Sequence, residues 1–154
     1  MTSDIRKIPA ARGTGYGCTP QRPAVRSAER VYIACPKSAY ATPRYDRVAE
    51  LVRQQFPDAL IIEARNRYRS NLDWVRGWPA TLRTLTHLVF FCDPDGWIGR
   101  GVWTEITDAE RDGVTAFHVN DRGRLTPLNA LQFGPPNEEC WQRYCRVVLP
   151  EAER

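Results

Sequence analysis

The stretch His87-Leu88-Val89-Phe90-Phe91-Cys92-Asp93 constrains the fold more than any other part of the chain. Its apolar side chains are consecutive rather than alternating, so a strand built from it must be covered on both faces. Such a strand belongs in the middle of a parallel sheet with helices on either side. It ends at an acid followed by the turn Pro94-Asp95-Gly96. Three further segments have strand length and similar character: Val31-Tyr32-Ile33-Ala34-Cys35, stopped by Pro36, then residues 59–63, then residues 114–119.

Helical segments separate these strands. Thr42 is placed to cap a helix whose first residue is Pro43, and Val48, Leu51, Val52 and Phe56 recur on one face of it. Ser70 or Asn71 caps a second helix carrying Leu72, Trp74, Val75, Trp78, Leu82 and Leu85, bent or divided at Pro79. Gly99-Arg100-Gly101 opens a third over residues 102–112, closed by Gly113. Strict alternation of this kind predicts right-handed crossovers and an α/β domain with a mostly parallel sheet of about five strands. After Asn120 the pattern changes: a turn at 121–124, short edge strands at 125–128 and 130–133, and an ambiguous terminal segment at 140–149 that roofs a pocket or extends the sheet.

Length and composition set the frame. A chain of 154 residues is one domain's worth, able to bury about two-thirds of the surface its unfolded form exposes. No apolar run approaches the roughly 20 residues that span a bilayer, and the N-terminus lacks the apolar core of a secretory signal, so a cytoplasmic address without membrane contact is expected. The odd number of cysteines, five at irregular spacings, suggests reduced thiols, and no zinc spacing occurs. Residues 1–30 hold six cations against two anions, which accounts for the net charge of +4. Residues 1–29 are therefore read as a flexible basic arm and 30–154 as the domain. The arm is assigned a solubilising role in preference to a nucleic-acid contact, because a charge of this size is weak grounds for phosphate binding.

Ligands of open α/β sheets bind beyond the carboxyl ends of the strands. That rule selects Asp93 at the end of the third strand, Tyr32 in the first, and Glu105 in the first turn or so of the helix after Gly101, all expected to face one crevice. The glycine-rich turn with Gly101 and Arg100 offers free N–H groups and a helix dipole to a phosphate or ribose oxygen. Plainer readings exist for each residue: Glu105 complementing the dipole, Asp93 capping its turn, Tyr32 packing in the core. Trp74, Trp78, Trp97, Trp103 and Tyr68, beside Arg65, Arg67 and Arg69, also permit stacking on single-stranded nucleic acid. The helical spacing of Trp74 and Trp78 favours the core for those two, and residues 65–69 read as a solvated loop.

The run Val89-Phe90-Phe91-Cys92-Asp93, then Gly101-Val102-Trp103-Thr104-Glu105, then Ala109 and Gly113, resembles the nucleoside 2-deoxyribosyltransferase family and its broader superfamily of nucleotide-binding, Rossmann-like or flavodoxin-like domains. The opening strand with Tyr32 looks like that family's first strand, and the likeness covers about residues 30–120. It implies Glu105 as a nucleophile toward the anomeric carbon of a nucleoside or nucleotide and Tyr32 as the group that orients it. Asp93 would hold sugar hydroxyls or protonate the leaving base. Cys35 and Lys37, in the turn after the first strand, and Asp73, at the start of the second helix, join Arg100 and Gly101 as ligand-binding candidates, although capping is the simpler role for Asp73. The resemblance implies a homo-oligomer and calls for no cofactor or metal. The chain departs from the family at Val102, where a small polar residue is common, in the bulky loop 94–100, and in the turn at Cys35-Pro36-Lys37-Ser38, which has no glycine. A noncatalytic module that binds or senses a nucleotide-derived ligand is the alternative function, and an accessory nucleic-acid binder using the arm is the third.

Overall fold

The structure, a computed structural model, describes residues 28–151. The basic arm lies almost wholly outside them. The elements run β1 (Arg30–Ala34), α1 (Pro43–Gln55), β2 (Leu60–Glu63), α2 (Ala64–Arg67), α3 (Asn71–Leu82), β3 (His87–Phe90), β4 (Trp97–Ile98), α4 (Arg100–Arg111), β5 (Thr115–Val119), β6 (Leu125–Pro127), β7 (Gln132–Phe133) and β8 (Cys145–Val148). The main sheet has the order β2-β1-β3-β5-β6. Its first four strands are parallel, and only β6 runs against its neighbour. This is the α/β domain with a mostly parallel five-stranded sheet that the alternating pattern predicts.

Strand geometry divides the core into two layers, because successive side chains point to opposite faces. Val31, Ile33, Val89 and Phe91 face α1, where Tyr45, Val48 and Val52 meet them. Tyr32, Ala34, Leu88 and Phe90 face α3 and α4, where Trp78, Leu82, Ile106 and Ala109 complete the packing. Thr42 caps α1 by accepting the Tyr45 N–H, and Ser70 caps α3 by accepting that of Asp73.

Several boundaries differ from expectation. Pro79 does not divide its helix; α3 continues through it. The carbonyl deprived of a donor is that of Val75, which is exposed, so water can take the missing bond. Of residues 65–69, expected in a loop, 65–67 belong instead to the single turn α2. Residues 132–133 do not edge the main sheet. They pair with β8, which also pairs with β4 to make a small antiparallel sheet, β4-β8-β7. Among the described residues no helix is long and apolar enough to cross a membrane.

Candidate functional site

The order in which strands are added to the main sheet reverses between β1 and β3: β2 lies on one side of β1, and β3, β5 and β6 on the other. Loops leaving two adjacent strand ends at such a point part from each other and leave a hollow. A cavity of about 850 Å³ occurs in this chain, lined by the turn after β1, by α2 and the start of α3, by the first turns of α4, and by Trp141 and Gln142 ahead of β8. Its size suits a small organic ligand.

Glu105 lines this cavity and is only 4% exposed. It sits beyond the first turn of α4, which holds no acidic residue, so dipole compensation is not its main role. Its Oε2 accepts hydrogen bonds from the Tyr32 hydroxyl and from Trp74 Nε1, the latter at 2.9 Å. Among the described residues nothing donates to Oε1. Burial pushes the Glu105 carboxyl up to about 7; the Tyr32 and Trp74 bonds pull it down, and the charge of Asp108 pushes it up again. Burial and the adjacent Glu105 raise the Tyr32 phenol far above its ordinary range, so Tyr32 stays a donor. The arrangement is therefore a carboxyl near its titration midpoint at neutral pH, with both of its donors on Oε2.

The walls combine aromatic and cationic groups. Tyr40, Tyr68, Trp74 and Trp141 supply rings, and Lys37 and Arg69 supply charge. Arg65 is not a solvated loop residue as read from sequence. It donates to the Tyr40 carbonyl at 2.7 Å and to Asp46 at 2.9 Å, and lies 3.7 Å from the centre of the Tyr45 ring, which fixes that wall. Lys37 Nζ donates to Asn71 Oδ1 at 2.6 Å, tying the turn after β1 to the start of α3.

The structure brings Glu105, Tyr32, Gly101, Cys35 and Lys37 together here, with Tyr32 beneath the floor and the others on the surface of the cavity. It does not bring Asp93. That carboxylate folds into its own turn, where Oδ1 accepts the N–H groups of Asp95 and Trp97 at 2.9 Å each, and it lines a separate hollow. The shared crevice expected for Asp93 and Glu105 is absent, and the turn-capping reading accounts for Asp93. Arg100 faces away from the cavity as well: it pairs with Glu138 at 2.9 Å and lies over the Tyr144 ring. Its backbone N–H is taken by the Trp141 carbonyl at 2.8 Å, so the glycine-rich turn offers fewer free donors than expected. Asp73 is exposed and accepts the Arg69 N–H, a capping role.

Sequence reasoning missed Trp74 as a partner of Glu105 and Trp141 as part of the rim. A signal for the first existed, since an indole N–H near the core needs an acceptor. None existed for Trp141, whose segment has no periodicity. Cys35, Cys92, Cys140 and Cys145 are free thiols, and burial raises the first two most strongly, which makes both poor nucleophiles.

No family model, no curated protein and no solved structure matches this chain. Fold and site together define an α/β domain that keeps one carboxyl, buried and close to half ionised at neutral pH, at the floor of a ligand-sized cavity.

Proposed function

We propose that the chain is an enzyme acting on the N-glycosidic bond of a nucleoside or nucleotide, with Glu105 as nucleophile. The observation that carries this reading is the asymmetric hold on Glu105: two donors on Oε2, none on Oε1, at the bottom of a cavity with aromatic walls. In the first step Oε1 bonds to the anomeric carbon while the carbon–nitrogen bond breaks. The bonding pair leaves with the base, which takes a proton from water reaching the open cavity. Water, or a second base, then displaces the Glu105 carboxylate from that carbon, giving hydrolysis or exchange with net retention. Tyr32 and Trp74 orient the carboxylate and steady the charge returned to it. Aromatic walls suit a planar base, and Lys37 and Arg69 suit sugar oxygens or a phosphate. Strand order and the placement of the cavity support a Rossmann-like, flavodoxin-like assignment for the fold.

One observation favours a second reading, a noncatalytic module for the same ligands. Among the described residues Glu105 is the only acid lining the cavity, and none of them offers a second carboxyl to protonate a leaving base. One experiment decides between them. The protein and Glu105→Ala are incubated with deoxynucleosides, ribonucleosides and their monophosphates, and free base is measured by chromatography alongside thermal stability. Release of base by the parent and at least a hundredfold less by the variant supports the enzyme. Ligand-dependent stabilisation without product supports the module. Neither effect with any ligand removes both.

A further inference from the structure

The hollow that holds Asp93 is a separate place in the fold. It measures about 430 Å³, lies where β3 and β5 end, and shares no lining residue with the Glu105 cavity. Its acids are already committed. Asp121 accepts from Arg44 Nε at 2.9 Å, while Asp93 takes two backbone N–H groups and lies 3.6 Å from Arg143.

Two of its cations, Arg44 and Arg122, retain unused donors. Arg44 gives Nε to Asp121 and one N–H of Nη1 to the Cys92 carbonyl at 2.6 Å, and it lies over the Phe91 ring. A guanidinium carries five N–H groups, so three remain. The Arg122 guanidinium makes no hydrogen bond or ion pair among the described residues. The turn that presents it is fixed: Asn120 Oδ1 accepts the N–H groups of Arg122 and Arg124 at 2.9 Å each, and Gly123 adopts φ +82°. That grip also holds the Asn120 amide nitrogen in place with two donors to spare. Beneath lies His118, 5% exposed, its Nδ1 sealed from solvent without a partner.

Spare donors from α1 and from the β5–β6 turn therefore line one hollow, a surface that suits a ligand rich in acceptors. Donors on two separate elements outnumber what the two oxygens of a planar carboxylate can accept, whereas a tetrahedral oxyanion presents more. We propose that this hollow binds a phosphate group, free or as a monoester, its oxygens held by Arg44, Arg122 and the Asn120 amide, with the His118 ring packed below. The site is independent of the chemistry assigned to Glu105.

The test is a titration of the ¹⁵N-labelled full chain with inorganic phosphate or glycerol phosphate at pH 7.5, against chloride of equal ionic strength, followed by NMR. Saturable shifts of the 120–124 amides and the His118 ring, weakened at least tenfold in Arg122→Ala, are expected. Arg122 is exposed, so that variant keeps the fold. A monoester that binds more tightly than inorganic phosphate identifies an organic ligand; equal affinity identifies the free ion. Shifts that grow linearly, that chloride reproduces, that survive Arg122→Ala unchanged, or that map to the Glu105 cavity overturn the proposal.

Discussion

At the scale of the residue, Glu105 gives the sharpest expectations because its ionisation is set by burial. Only the carboxylate can attack carbon, so kcat/KM for base release rises with pH through about 7 and levels off above it. A pH profile that is flat from 5 to 9 contradicts the assignment. Stability runs the other way. The folded carboxyl holds its proton to about 7 against 4.5 in the unfolded chain, so the folded state binds more protons between those values and loses stability as pH rises through them. Glu105→Gln keeps an oxygen for Tyr32 and Trp74 and never ionises. It should therefore be more stable than the parent at pH 8, by on the order of 3 kcal/mol if the whole difference is realised. The gain should vanish near pH 4, as parallel denaturant titrations at the two pH values would reveal. The residues of this site were unevenly legible. Glu105 and Tyr32 stood out because a carboxyl and a phenol fell at the points where strand ends and helix starts converge. Asp93 met the same positional rule, yet its own turn claimed it, and the choice between a free and a capping acid depends on loop geometry that spacing does not encode.

At the scale of the element, α4 is shaped to leave room. A Cβ added at Gly101 would meet nothing within 4 Å, although the residue lines the cavity and sits in a helix where glycine is the poorer choice by about 1 kcal/mol. Gly101→Leu should leave the melting temperature within a few degrees of the parent and abolish ligand-induced stabilisation, since the new side chain occupies the cavity. A thermal-shift series over the nucleoside panel measures both. Gly99 is different in kind: a Cβ there would lie 3.1 Å from the Trp141 carbonyl, the group that also takes the Arg100 N–H. Helix starts were legible wherever a capping residue announced them, as at Thr42 and Ser70. The single turn α2 and the two-residue strand β4 were not, because segments so short carry no period and are formed by their tertiary partners; β7 falls inside the short strand expected at 130–133, and only its pairing with β8 was unforeseen.

At the scale of the whole molecule, the parallel sheet was legible because burial on two faces demands unbroken apolar runs, and His87 to Phe91 and Val31 to Cys35 supply them. The small sheet was illegible for the converse reason. β8 alternates buried and exposed residues, and its neighbours β4 and β7 both precede it, with α4, β5 and β6 lying between β4 and β7. The sheet order carries a kinetic corollary. β1 is flanked by β2 and β3, so Arg30 waits for Leu60, and Val31 waits for His87, 56 residues further on. During synthesis this ribbon, fully buried from Val31 to Ala34, is thus made before either neighbour exists. Refolding of this protein should be governed by how long that ribbon can stay solitary without finding the same ribbon on another chain.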